Sequence, residues 1–285
     1  MNGLPDFIII GAGKCGTTSL HNYLNQHPQV YICPQKETFF FTDDLTRQKN
    51  RVWGAVGDLA AYQALFEAAP PHKTRGEIST VYYAYPPSAQ SIYSLIPEVK
   101  IIAILRDPAN RAFSDYQMHV QSGSENRDFD SLITANNRYV RLGFYYSHLL
   151  PFFETCPATN IKILLFEDFR KNPANFLQEL FNFIQVDPTF IPDMEVKARE
   201  GGLPKNQAVN SLLNKPNPLR TTVATIMKLF IPLDLRQNIR SSLVKKNLAK
   251  TKLSPTTRQK LINLYRDDIC QLQDLLQRDL SPWLK

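Results

Sequence analysis

The sequence predicts an α/β fold with a central parallel sheet flanked by helices, followed by a mostly helical C-terminal extension. Three observations predict it. Short continuous apolar runs at 7–10, 100–105 and 161–166 have the length and β-branched content of strands buried on both faces. Stretches of helical spacing alternate with them, as βα units require. A glycine-rich turn at 11–16 joins the first run to the first helix.

Taken in order, residues 7–10 read as a strand, 11–16 as the turn and 17–25 as a helix. Residues 75–80 form a weaker strand candidate, and 86–95 a helix opened by proline. After the strand at 100–105, Pro108 opens another helix, and the strand at 161–166 is followed by a helix from Pro173 through Phe183. Beyond about residue 186 the texture changes. Prolines at 188, 192, 204, 216 and 218 and the pair Gly201 and Gly202 mark an irregular stretch before helical segments reach Trp283. The expectation is one domain over 1–285, with a core at about 1–186 and a loop and helical extension at about 187–285. No internal repeat interrupts this reading.

With 43% hydrophobic and 21% charged residues, the chain has ordinary globular values, which excludes disordered, collagen-like and fibrous classes. The net charge of +7 is compatible with an anionic ligand and equally with a solvated basic face. Cys15, Cys33, Cys156 and Cys270 are far apart and form no CxxC pair, which argues against a zinc site and a disulfide framework. The apolar run at 7–10 leaves no room ahead of it for a cleavable leader, so a cytoplasmic protein is expected. The apolar stretches at 101–105 and around 226–233 fall short of the roughly 20 residues a membrane-spanning helix needs.

The segment Gly11-Ala12-Gly13-Lys14-Cys15-Gly16-Thr17-Thr18-Ser19 combines small residues, a lysine and hydroxyls between a strand and a helix. That is an anion cradle. Glycines admit an anion to the backbone, the helix start supplies N–H groups, and Lys14 supplies charge. The loop of nucleotide triphosphatases places lysine directly after its last glycine, whereas here that position is Thr17 and the lysine lies inside the loop. An ATP–magnesium kinase is therefore the second choice.

A second constellation follows the strand at 100–105. Arg106-Asp107-Pro108 precedes a helix that carries Ser114 eight residues after the arginine, a spacing at which a guanidinium and a hydroxyl can close on one phosphate. The bland alternative is a surface Arg106–Asp107 pair with an exposed serine. Arg111 and Asp115, four apart on that helix, read as a structural pair.

Between these motifs stands Lys36-Glu37-Thr38-Phe39-Phe40-Phe41. Glu37 is the candidate base, because a carboxylate against an apolar wall has its pKa raised toward that task. In the alternative reading Glu37 pairs with Lys36 or another cation, and the phenylalanines are core. Glu77, in Gly76-Glu77-Ile78-Ser79, is a competing carboxylate. His21, His27, His72, His119 and His148 have no telling neighbours and read as packing or surface residues.

Lys14 to Thr18 resembles the 5′-phosphosulfate loop, K-x-G-T-T/S, of the sulfotransferases that use 3′-phosphoadenylyl sulfate (PAPS). Arg106 to Ser114 resembles that family's 3′-phosphate signature, and Lys36 to Phe40 its carbohydrate branch, of the heparan sulfate type, in which a glutamate precedes two phenylalanines. The resemblance, closest to bacterial members, spans nearly the whole chain and is specific in the two nucleotide motifs. It implies a P-loop-type three-layer fold in which the core binds nucleotide. It further implies that Lys14, Cys15, Gly16, Thr17, Thr18 and Ser19 hold the 5′-phosphosulfate and that Arg106 and Ser114 hold the 3′-phosphate. Lys14 and Glu37 become the catalytic residues, and no metal is required.

Three later segments extend the resemblance. Gly143-Phe144-Tyr145 is similar to a family element that lies against the nucleotide, with an aromatic core patch as the alternative. Glu200 to Asn206 is similar to a late loop closing over the donor, in which Lys205 reaches a phosphate or is simply solvated. Glu77 falls in a G-E-x-S/T segment expected to support the loop. The implied reaction moves a sulfuryl group from PAPS to a hydroxyl or amine of an acceptor, a carbohydrate or glycolipid, and releases adenosine 3′,5′-bisphosphate (PAP). A non-catalytic binder of an anionic partner is the rival from another class. Nucleic acid is not expected, since no binding module is present. The lysine-bearing stretch at 225–252 is a candidate for peripheral membrane contact.

Overall fold

The apolar run at 7–10 extends by one residue into strand β1 (Phe7–Gly11), every residue of which is buried. In the computed structural model, which describes residues 3–194, 202–206, 209–210, 247–249 and 251–285, β1 is the centre of a five-stranded sheet. Its neighbours are β3 (Thr74–Ile78) and β4 (Lys100–Leu105), with β2 (Val30–Ile32) and β5 (Ile161–Leu165) outside them, in the order β2-β3-β1-β4-β5. Every pairing is parallel. The parallel sheet expected from the isoleucine- and leucine-rich runs is therefore present, and Phe7, Ile8, Ile9, Ile101, Ile102 and Ala103 are all inaccessible to solvent.

Helices fill the connections: α1 (Thr17–Gln26), α2 (Asp44–Lys49), α3 (Leu59–Ala64), α4 (Pro87–Leu95), α5 (Pro108–Ser122), α6 (Arg138–Arg141), α7 (Tyr145–Thr155), α8 (Phe166–Lys171), α9 (Pro173–Ile184) and α10 (Pro255–Leu276). Proline stands at the first turn of α4 and α9, where its missing N–H costs nothing. The apolar face of α9, with Phe176, Leu177, Leu180, Phe181 and Ile184, is buried.

Small differences from the sequence reading have local causes. Phe166 leaves the strand and begins α8, and residues 79 and 80 leave β3 to form the turn after it. The three-residue β2, whose middle residue is only half-buried, has too short a pattern to be read from sequence.

The chain clusters into two compact units. The first, Met1–Arg111 with Leu142–Ala198 and Tyr265–Lys285, contains the sheet. Its C-terminal segment is tied in by Asp268, whose carboxylate accepts from the N–H groups of Tyr146 and Ser147 at 3.0 and 3.1 Å in the first turn of α7. Trp283 is buried, its ring 6.0 Å from that of Tyr145.

The second unit, Ala112–Arg141 with Arg199–Leu264, is held by an aromatic cluster and side-chain to backbone bonds. Tyr116 lies 4.8 Å from Phe129 and 5.9 Å from Tyr139 between ring centres. Gln121 donates to the Gly202 carbonyl at 2.7 Å, and Asn210 to that of Val120 at 2.9 Å. A short antiparallel ribbon pairs β6 (Leu203–Pro204) with β7 (Leu248–Ala249). Most of the stretch at 225–252, with Glu200 and Gly201, lies outside the described residues. Among the described residues no helix is long and apolar enough to cross a membrane.

Candidate active site

The strand order reverses at β1, since the chain fills β2 and β3 on one side and β4 and β5 on the other. In a parallel sheet that reversal opens a crevice at the C-terminal ends of the strands. The segments that leave those ends carry the loop at 12–16, Lys36 and Glu37, Ser79 and Thr80, Arg106, and Phe166 with Glu167. The topology therefore gathers residues from across the first unit.

The loop is shaped by backbone that other residues resist. Gly16 has φ 85°, and a Cβ there would lie 3.0 Å from the Phe166 ring, so both its conformation and its neighbour require glycine. Gly16 also stands at the N-cap of α1 and offers no side chain to cap it, which leaves the first-turn N–H groups for another acceptor. Lys14, at φ 72°, holds a left-handed conformation uncommon for a residue with a Cβ. Thr17 and Ser19 are buried and Thr18 is exposed. Cys15 is buried, desolvation pushes its thiol up to about 12, and its Sγ donates to the Gly13 carbonyl at 3.7 Å within the loop.

Arg106 binds the loop from the end of β4. Its guanidinium donates to the Lys14 carbonyl at 3.2 Å and lies over the Phe166 ring at 5.1 Å. Tyr145 is fully buried, and its hydroxyl donates to the Arg106 carbonyl at 2.9 Å. Tyr145 thereby fixes the end of β4. Arg111, read from sequence as a structural residue, is only 1% accessible, and its charge bears on Cys15, Tyr145 and Tyr265.

Glu37 sits in a second strained segment, with φ 57°, followed by Phe39 at φ 58°. Its N–H donates to the Ile78 carbonyl at 3.0 Å. Thr80 Oγ1 donates to Glu37 Oε1 at 2.8 Å, and Glu37 Oε2 is buried with no hydrogen-bond partner among the described residues. Burial raises the Glu37 pKa above the usual carboxylate value, against the lowering effects of Thr80 and Lys36. Thr80 Oγ1 is also 3.7 Å from where a Cβ on Gly13 would stand, so the hydroxyl that anchors the carboxylate lies beside the loop. Lys36 forms no ion pair among the described residues, and its Nζ is 3.4 Å from Thr18 Oγ1.

Glu77 has a different environment. It is inaccessible to solvent, and hydroxyls of Thr38 at 2.5 Å, Ser79 at 2.6 Å, Tyr82 at 2.9 Å and Tyr62 donate to its carboxylate. That network holds the turn carrying Glu37 against the end of β3. Phe39 and Phe41 are buried, and Phe40 stacks on Tyr62 at 4.2 Å. The three phenylalanines are packing residues.

Ser114 is half-buried on α5 and Lys205 is exposed after β6, its N–H donating to the Asn247 carbonyl at 2.6 Å; both belong to the second unit. His21 and His27 bond the carbonyls of Cys33 and Asp187 at 3.2 and 3.0 Å, as packing histidines do. Thr80 and Glu167 were not visible as site residues in the sequence. Glu167 accepts from the Asp107 N–H at 3.0 Å, with its other oxygen buried and unpartnered among the described residues. Their one signal is a position just past a strand end. Among the described residues no group of three or more His, Cys, Asp or Glu side chains is placed to hold a metal ion.

The profile of the Sulfotransferase family matches residues 5–190, more than half the chain. The chain belongs to the sulfotransferase family. The bifunctional heparan sulfate N-deacetylase/N-sulfotransferase of Drosophila melanogaster is 29% identical over an alignment of 213 residues that covers 66% of this sulfotransferase and 20% of the fly protein. Heparan sulfate glucosamine 3-O-sulfotransferase 5 of Mus musculus is 29% identical over 198 residues, covering 65% of this chain and 54% of the mouse protein. This sulfotransferase thus spans about a fifth to a half of the length of these curated relatives. The crystal structure of a sulfotransferase from Alicyclobacillus acidocaldarius superimposes with a TM-score of 0.74 at 25% identity, over 99% of both chains.

Proposed function

We propose that this family member transfers a sulfuryl group from PAPS to a hydroxyl or amine of a carbohydrate or glycolipid acceptor. The observation that carries the proposal is the juxtaposition of an anion cradle at 13–18 with the carboxylate of Glu37, which accepts from a Thr80 hydroxyl that lies beside the loop. The donor set fits the PAPS phosphates. The N–H groups of the first turn of α1 have no side-chain cap, Lys14 stands in the cradle and Arg106 lies at its rim. PAPS supplies an activated sulfuryl group on a phosphate leaving group.

The remaining work belongs to the chain. Loop N–H groups and Lys14 hold the 5′ end and offset charge that grows on the leaving oxygen. Arg106 neutralises the 3′-phosphate. Ser114 and Lys205 enter this reading as further donor ligands on their sequence motifs alone. Glu37 takes the acceptor proton at Oε2, whose lack of a partner and raised pKa suit a base. Tyr145 positions Arg106, and Glu77 positions the Glu37 turn.

The acceptor class follows from the heparan sulfate named in the relatives and from the Glu37 segment shared with the carbohydrate branch. A cytoplasmic location is part of the proposal and is supported by four free cysteines. The test is transfer of label from ³⁵S-PAPS to desulfated heparan sulfate, glycolipids and simple phenols. Label in the glycans that is lost in Glu37→Gln supports the reading. Transfer to the phenols alone would overturn the acceptor class, and phosphate transfer from ATP with magnesium would replace the reaction.

A further inference from the structure

We propose that Lys36 is a second cation of the transfer site, placed to hold the sulfuryl oxygens of the donor while the group moves. The inference rests on the PAPS assignment above and adds a residue to it. Lys36 reaches the end of the loop, with Nζ 3.4 Å from Thr18 Oγ1. That distance is longer than a good hydrogen bond, so the hydroxyl is a weak partner and the ammonium keeps capacity for a stronger one.

The setting of Lys36 lacks what a structural lysine needs. Its side chain is half-buried, and no carboxylate pairs with it among the described residues. Burial lowers its pKa, and the charge of Glu37 only partly opposes that. Lysines withdrawn from water are ordinarily paired, because an unpaired charge loses hydration without return. An anion in the cradle supplies the missing partner.

The backbone that carries Lys36 is fixed on both sides. Cys33 N–H is bonded to the Gly76 carbonyl at 2.8 Å, Glu37 N–H to that of Ile78 at 3.0 Å, and Val56 N–H to that of Thr38 at 2.8 Å. The ammonium is therefore held by a braced turn, as preorganised charge in a transfer site must be. Lys14 and Lys36 then have separate tasks. In the step, the sulfur–oxygen bond to the 5′-phosphate breaks and its electron pair stays on the phosphate oxygen, beside Lys14. A bond from the acceptor oxygen or nitrogen to sulfur forms, and the acceptor proton passes to Glu37. Lys36 exchanges no proton and offsets charge on the sulfuryl oxygens throughout.

The experiment compares Lys36→Met and Lys36→Arg with the unaltered chain. PAP and PAPS are titrated by calorimetry without acceptor, and turnover is measured separately. PAP lacks the sulfuryl group, so Lys36→Met should bind it within about twofold of the unaltered chain. It should bind PAPS about tenfold more weakly and lose about 100-fold in kcat. Lys36→Arg should recover most of both. Equal weakening of the two nucleotides would make Lys36 a structural or phosphate residue, and unchanged PAPS affinity with unchanged kcat would leave it no role; either result overturns the proposal. If the unaltered chain binds neither nucleotide, the donor assignment itself falls and takes the proposal with it.

Discussion

Thr80 donates to one oxygen of Glu37 at 2.8 Å while the other oxygen is buried without a partner among the described residues. The pair defines a carboxylate with one oxygen anchored and one unpartnered among the described residues. Glu37→Gln keeps the anchored bond and removes the base, so kcat should fall by about 10²–10⁴-fold while PAP affinity stays within about twofold. Steady-state kinetics beside calorimetric titration checks this.

The same carboxylate sets a pH dependence. Because burial holds the Glu37 pKa above that of the unfolded chain, the folded state binds the proton more tightly. Its contribution to stability is therefore greatest below the unfolded value and is lost as pH rises through the folded one. Glu37→Gln should match the unaltered chain in Tm at low pH and exceed it above the Glu37 titration. Thermal unfolding across pH 4 to 8, a window set by roughly the ordinary carboxylate range and above, reads the difference.

Thr80→Val removes a hydrogen bond that lowers the Glu37 pKa. The acid limb of the kcat/KM profile should then move to higher pH, with PAP affinity little changed. A limb that stays in place would mean that a group other than Glu37 titrates in it.

Glu77 makes the opposite prediction. Its removal strands the hydroxyls of Thr38, Ser79, Tyr82 and Tyr62 in the core, so Glu77→Ala should cost on the order of 3 kcal/mol or more in stability. Denaturant unfolding measures it. Gly16→Ala meets both a φ of 85° and the Phe166 ring, and should cost about 1–2 kcal/mol and weaken PAP binding.

Much of the sheet and the cradle was legible because each is encoded locally. The runs that became β1, β4 and β5 are apolar enough to be read without context, and the string from Lys14 to Ser19 carries its chemistry in consecutive residues. Lys36, Thr80 and Glu167 were not legible as site residues. Nothing in their neighbourhood in sequence shows that they follow β2, β3 and β5 to the same end of the sheet; only strand order brings them to the loop. Arg111 reads as structural from its spacing, but the sequence does not show that it is buried and that its charge bears on Cys15 and Tyr265. The phenylalanines after Glu37 read from sequence as an apolar wall or as core, and their packing against Tyr62, distant in sequence, is visible only in the structure.

If the cradle and Arg106 select a 3′-phosphorylated adenine nucleotide, thermal unfolding with PAP, ADP or ATP, each with magnesium or with chelator, shows it. At ligand about 100 times its dissociation constant, PAP should stabilise by roughly 2.7 kcal/mol with or without metal. Arg106→Ala should abolish that gain, and ADP and ATP should add little. Stabilisation by ATP with magnesium and none by PAP would give the site to a phosphoryl-transfer enzyme instead.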